Sequence, residues 1–155
     1  MRQYLLDFFK YNDWANRNLL ETVKQLPDQK EAVKLFSHSF SAQGKWYNRI
    51  SREKDDDLFP WFGPELPLYL LEYRWSESVN RWICLLEAKN EIDLEADIVF
   101  QRKTEGKRIS VKVRDVMLQL NYHSIHPRAQ INRIIRDQGL PPLPTDYILT
   151  VMKEA

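Results

Sequence analysis

Apolar residues recur three and four positions apart along most of the chain, the spacing that predicts helices with one buried face. From about Gln3 to Gln25 the stripe is Leu5, Phe8, Phe9, Asn12, Ala15, Leu19, Val23 and Leu26, with charged residues between and Pro27 marking its end. A second stripe, about Gln29 to Arg52, carries Val33, Leu35, Phe36, Phe40, Ala42, Trp46 and Ile50. The third, about Leu68 to Lys89, presents Leu71, Trp75, Val79, Trp82, Leu85 and Leu86. A fourth runs from Val113 or Asp115 to Gln138, with Asp115 at the positive end of the helix and Gly139 as its cap. Before it the period changes to two. Ile98, Phe100 and Arg102 alternate with Val99, Gln101 and Lys103, and Ile109, Val111 and Val113 alternate with Ser110, Lys112 and Arg114. With Thr104-Glu105-Gly106-Lys107 as the turn, this predicts a β-hairpin between the third and fourth helices. Leu140 to Pro144 reads as extended and Thr145 to Leu149 as a short final element.

The segment Leu58 to Pro67 holds three prolines and a glycine, which no helix continues through. Its Phe59, Trp61 and Phe62 are expected to plug a bundle end; lining a ligand pocket or a dimer interface is the functional alternative. The run Lys54-Asp55-Asp56-Asp57 reads as the solvated start of this loop. A cation site there is disfavoured, because consecutive carboxylates diverge on any regular element.

Composition narrows the class. A chain of 155 residues fits one domain, 1–155, with enough surface to bury on folding for a core without staples. Only four glycines leave long tracts without breakers and favour an all-α chain over one needing many tight turns. Charge is balanced, 23 Lys plus Arg against 22 Asp plus Glu, and lacks the basic excess that nucleic-acid binding requires. The single cysteine, Cys84, cannot form an internal disulfide and is expected to be a buried, inert thiol among Trp82, Ile83, Leu85 and Leu86. No tract reaches the roughly 18 uninterrupted apolar residues of a membrane span, and the first residues lack a signal peptide's apolar run, so the expected setting is cytoplasmic with no membrane partner.

Three histidines carry the candidate chemistry. On a helical wheel His38 points with Leu35, Ala42 and Trp46, and His123 with Val116, Leu120, Gln130 and Ile134, so both face inward. His126 follows His123 by three residues, a separation at which two side chains can converge on one metal. Two facing helices could thus assemble a three-nitrogen site for zinc, nickel or iron with a position left open. From spacing alone, though, a set of unrelated core and surface histidines is the favoured reading.

Tyr11-Asn12-Asp13-Trp14-Ala15-Asn16 resembles the Trp-Ala-Asn signature that opens the DinB-like (YfiT-like) family of metal-dependent proteins. Leu35-Phe36-Ser37-His38 is similar to the family's Leu-x-x-His context. Tyr122 to Gln130 follows its His-x-x-His-His-Arg-x-Gln pattern, and Gly139 with Thr145-Asp146-Tyr147 resembles its closing segment. The resemblance implies an up-down-down-up four-helix bundle, often a homodimer, with a divalent metal held by three histidines at one end. His38 matches the first ligand and His123 the second. The third position, four residues after His123, is Pro127, which offers no lone pair. Either His126 replaces it, turned inward by a kink at Pro127, or the site has lost a ligand and binds metal weakly or not at all. Asp13 is a distant substitute.

Two functions follow as expectations. In the first, a metal on His38, His123 and His126 acts as Lewis acid in hydrolase or thiol-dependent transferase chemistry on a small molecule. Trp46, Tyr122 and the Phe59 to Phe62 loop would then shape the pocket, and Arg128 would orient an anionic group unless it forms an ion pair on the bundle surface. In the second, the protein is a non-catalytic helical binding or dimerisation module whose histidines only hydrogen-bond. A role in DNA repair has no support in the charge pattern.

Overall fold

The predicted stripes are all helices, at nearly the predicted bounds. The computed structural model describes residues 1–51, 59–102 and 106–154, so the aspartates at 55–57 lie outside the described residues. The elements are α1 (Arg2–Val23), α2 (Lys30–Ser51), α3 (Leu68–Ala88), α4 (Glu91–Leu94), β1 (Asp97–Arg102), β2 (Lys107–Lys112), α5 (Val113–Asp137) and a closing 3-10 turn, Tyr147–Thr150. Asn90 caps α4, accepting from the Ile92 and Asp93 amides while Asp93 accepts from the Asn90 amide. This short helix was not foreseen from periodicity, which a single turn cannot display.

α1 packs on α3 and α5, and α2 packs on the same two helices from the opposite corner. Cross-links fix the directions. Trp75 Nε1 donates to Asp13 and Lys24 Nζ to Glu72, so α1 and α3 run antiparallel. Ser78 Oγ donates to Gln43 and the Leu66 amide to Ser37 Oγ, so α2 and α3 run parallel. Arg128 reaches Asn12 further up the seam at whose base Leu5 meets Val116, so α1 and α5 are parallel. The bundle is therefore up-down-down-up.

The connections explain that order. Bringing α3 in parallel to α2 requires the chain to travel back along α2, and residues 59–67 do so as a strap. The Leu66 amide donates to Ser37 Oγ, the Gly63 amide to Ser41 Oγ, and Lys45 Nζ to the Phe59 carbonyl. Ser37, Ser41 and Lys45 stand four residues apart, on one stripe of α2. The aromatics of this segment thus lie along α2; they do not plug a bundle end, and Trp61 and Phe62 are exposed. The hairpin pairs Asp97 with Lys112 through Arg102 with Lys107 and carries the chain from α3 past α2 into α5. Gly106 (φ +63°) and Gly139 (φ +86°) occupy left-handed conformations at the hairpin turn and after α5, where a Cβ would be strained.

The core is divided. One cluster holds Leu5, Phe9, Trp82, Leu86, Leu94, Ile98, Val116 and Met117; the other holds Leu19, Val23, Phe36, Leu71, Ile131 and Ile135. Between them lies a buried polar layer that includes Asn12, Asn16, Ser39, Gln43, Ser78, Asn121, Ser124 and Arg128. Cys84 is exposed, against expectation. Trp82 and Leu86 are buried, and Cys84, two residues from each, is turned about 200° away from both. Among the described residues, no helix is long and apolar enough to cross a membrane.

Candidate functional site

His38 and His123 meet across the α2/α5 seam, with His38 Nε2 and His123 Nε2 3.2 Å apart and the rings near perpendicular at 76°. The pair sits level with the polar layer, between Phe36 and Trp46 on α2 and between Leu120 and Ile131 on α5, and not at a bundle end as the resemblance implied. The strap roofs it: His38 Nδ1 lies 2.9 Å from the Trp61 carbonyl, and the Phe62 ring stacks on His38 at 4.5 Å. A carbonyl only accepts, so His38 Nδ1 carries a proton, and with the ring in its neutral tautomer Nε2 is the acceptor. His123 Nε2–H then donates to it. Burial, followed by the neighbouring His38 and His126, lowers the His123 pKa and favours its neutral ring.

His126 is exposed, its ring centroid 6.4 Å from that of His123. α5 continues through Pro127 to Asp137, and the Pro127 ring is buried at the position where the resemblance implied a third ligand. Among the described residues, no three His, Cys, Asp or Glu side chains are grouped to hold a metal. The donor set therefore does not fit a three-ligand centre: two imidazole nitrogens face each other, and Pro127 has no lone pair to offer as a third. Asp13 cannot supply it, because its carboxylate accepts from Arg17 and Trp75 on the α1/α3 side, across the bundle from the α2/α5 seam.

The candidate pocket residues scatter. Trp46 does reach the strap, its ring edge-on to Trp61 at 5.8 Å and to Phe100 at 5.5 Å, with the Arg49 guanidinium against all three. Tyr122, 62% exposed, points away from the histidines toward Phe8 and Tyr147. Arg128 forms no surface ion pair. It is 2% exposed, donating to Asn12 Oδ1 at 3.1 Å and to the Tyr11 hydroxyl at 3.0 Å, with its guanidinium over the Tyr11 ring. Burial lowers its pKa and Tyr11 opposes that shift. The Tyr11 hydroxyl in turn donates to the Thr145 carbonyl, tying the C-terminal segment to the bundle. Sequence reasoning missed the strap's anchors, although Ser37, Ser41 and Lys45 at four-residue spacing beside an unbroken proline loop were a usable signal.

A bundle of this order, with a histidine on α2 meeting one on the last long helix, has the architecture of a DinB-type protein. Residues 1–154 match the DinB family, and the chain belongs to it. Neither the curated proteins nor the solved structures returned a match.

Proposed function

We propose that this DinB protein is a binding module whose centre is reduced to a hydrogen-bonded histidine pair, without the metal-dependent hydrolase or thiol-dependent transferase activity that the family resemblance implies. One observation carries the reading. Pro127 is buried where the resemblance implies a third ligand and His126 faces solvent, so among the described residues no third donor side chain is grouped with His38 and His123. Catalytic zinc takes three protein ligands besides its open position. What the module binds is a small molecule, with Phe62 stacked on His38 and Trp61 edge-on to Trp46 offering aromatic surface for it.

A second reading is favoured by one distance. Two nitrogens sharing a tetrahedral zinc stand about 3.3–3.4 Å apart, near the 3.2 Å seen here, and a ligating histidine usually donates its other N–H to a carbonyl, as His38 does to Trp61. A divalent cation on His38 and His123 would then support the hydrolase or transferase function.

Elemental analysis and zinc calorimetry separate the two. The first reading expects substoichiometric metal in the purified protein and no change in melting temperature on adding zinc or nickel. It also expects Pro127→His, which restores the four-residue spacing, to bind zinc stoichiometrically. Stoichiometric metal in the unaltered protein, lost in both His38→Ala and His123→Ala, overturns it, and loss in His126→Ala as well would name the third ligand. Sedimentation of the same samples tests the homodimer.

A further inference from the structure

A cavity of about 290 Å³ lies between α2, α3 and the strap. Its walls are mostly apolar, with Phe40, Tyr47, Phe59, Pro60 and Pro64 around it. Ser37, Ser41 and Lys45 pin the strap at three points along α2, so the roof is in place before any ligand arrives. Trp61 and Phe62 of the same strap meet His38, whereas neither histidine of the pair lines this cavity. It is a site apart from them.

Gly44 marks the cavity as space that the fold leaves unfilled. It stands inside α2 and in the cavity wall, where alanine would make the more stable helix. Packing does not demand the glycine, because a Cβ there meets only the Phe59 ring, at an ordinary 3.7 Å. Gly63 differs: a Cβ at that point of the strap would stand 2.5 Å from Ser41 Oγ, so the close approach to α2 accounts for it. The missing side chain at Gly44 has no such account and opens the wall toward Phe59.

α3 supplies the polar side. Arg74 and Arg81, two turns apart, border the cavity with Glu77 between them, two cations against one carboxylate among the described lining residues. Arg74 donates to Glu77 at 2.9 Å, and the Arg81 guanidinium lies over the Tyr47 ring at 4.1 Å. The five N–H groups of a guanidinium let it hold a ligand beside its protein partners. Ser78 gives its proton to Gln43, and the Ser41 and Tyr47 hydroxyls can donate or accept, so the arginines set the preference. An apolar chamber with guanidinium groups on one side suits an acid with an apolar body. The volume, about twice the roughly 150 Å³ that takes a benzene, admits one ring with a short arm.

We propose that this cavity binds a single-ring aromatic carboxylate, its ring against Phe40, Phe59 and the prolines and its carboxylate at Arg74 and Arg81. Phenylacetate and phenylacetamide, which match in shape and differ in charge, are the probes. They are titrated into the full chain and followed by the amide resonances of Gly44 and Gly63, both in the wall. Phenylacetate is expected to shift both saturably and to bind about tenfold more tightly than the amide, the difference between a charged and a neutral hydrogen bond. That advantage is expected to shrink as salt is raised. Arg74→Gln and Arg81→Gln, at exposed positions, are each expected to cut it by about threefold while the amide binds as before. Gly44→Leu, with folding checked by circular dichroism, is expected to fill the cavity and abolish the shifts of Gly63 with both probes. No saturable shift with phenylacetate, an amide that binds as tightly, a preference untouched by the arginine substitutions, or undiminished binding in folded Gly44→Leu would overturn the proposal.

Discussion

His123 shows how a single side chain answers to its surroundings. Its cation is disfavoured in the fold by burial, then by His38, then by His126, so its folded pKa lies below the ordinary value of 6.5. The unfolded chain therefore takes up this proton at a higher pH than the folded chain does. The resulting stability is intact above the unfolded pKa and is lost as pH falls from there through the lower folded value. Thermal melts between about pH 7.5 and about pH 5 are expected to show a steeper loss for the natural chain than for His123→Gln, which has no proton to take up there. Equal slopes would refute the assignment. The inward direction of His38 and His123 was legible from their wheel positions. The outward direction of His126 was not, because the sequence left open whether Pro127 would kink the helix and turn it in. Arg128 misled for a related reason: a cation reads as surface until its partners are known, and those partners, Asn12 and Tyr11, are 116 and 117 residues away.

Arg128 is also where separate elements are tied together, since it links α5 to α1 and, through the Tyr11 hydroxyl, to the segment at Thr145. Its removal orphans neither contact, because Asn12 Oδ1 still accepts from Asn16 and Tyr11 still donates to Thr145. Losing a buried charge offsets much of the cost of losing its bonds. Arg128→Met is therefore expected to change unfolding free energy by less than about 1 kcal/mol, whereas Arg128→Ala, which leaves a cavity, is expected to cost about 2–3 kcal/mol by urea denaturation. A Met variant as unstable as the Ala variant would show that the guanidinium bonds, and not the filled volume, hold α1 to α5. The existence of the long helices and the hairpin was legible, from the spacing of Leu5, Phe9 and Leu19 to the alternation of Ile98 and Phe100, while the single turn of α4 was not. What escaped was the course of the loops. Three prolines announced that residues 59–67 were not helix but could not say that the segment would lie along α2, because that depends on Ser37, Ser41 and Lys45 receiving it.

Across the whole molecule the two apolar clusters are separated by a polar layer, yet each long helix serves both. α1 contributes Leu5 below and Leu19 above, α5 Met117 and Ile131, α3 Trp82 and Leu71, and α2 packs Ile50 below and Phe36 above. Neither cluster can open without uncoupling helices that the other needs, so unfolding is expected to be one transition. Leu5→Ala and Leu19→Ala should each cost about 2–5 kcal/mol, with tryptophan fluorescence and far-ultraviolet circular dichroism moving together in both. Two separated transitions would show the layer to be a boundary between independent units. By itself the sequence determined the long helices, the hairpin, the family and the presence of a proline at 127, because periodicity, turn residues and side-chain chemistry are local properties. The tertiary structure alone decided that His38 and His123 meet at the level of the polar layer, that His126 does not join them, and that Arg128 is buried against Asn12 and Tyr11. Those outcomes depend on which faces of distant helices are pressed together, and that is fixed only when the strap and the hairpin bring α3 and α5 to their places.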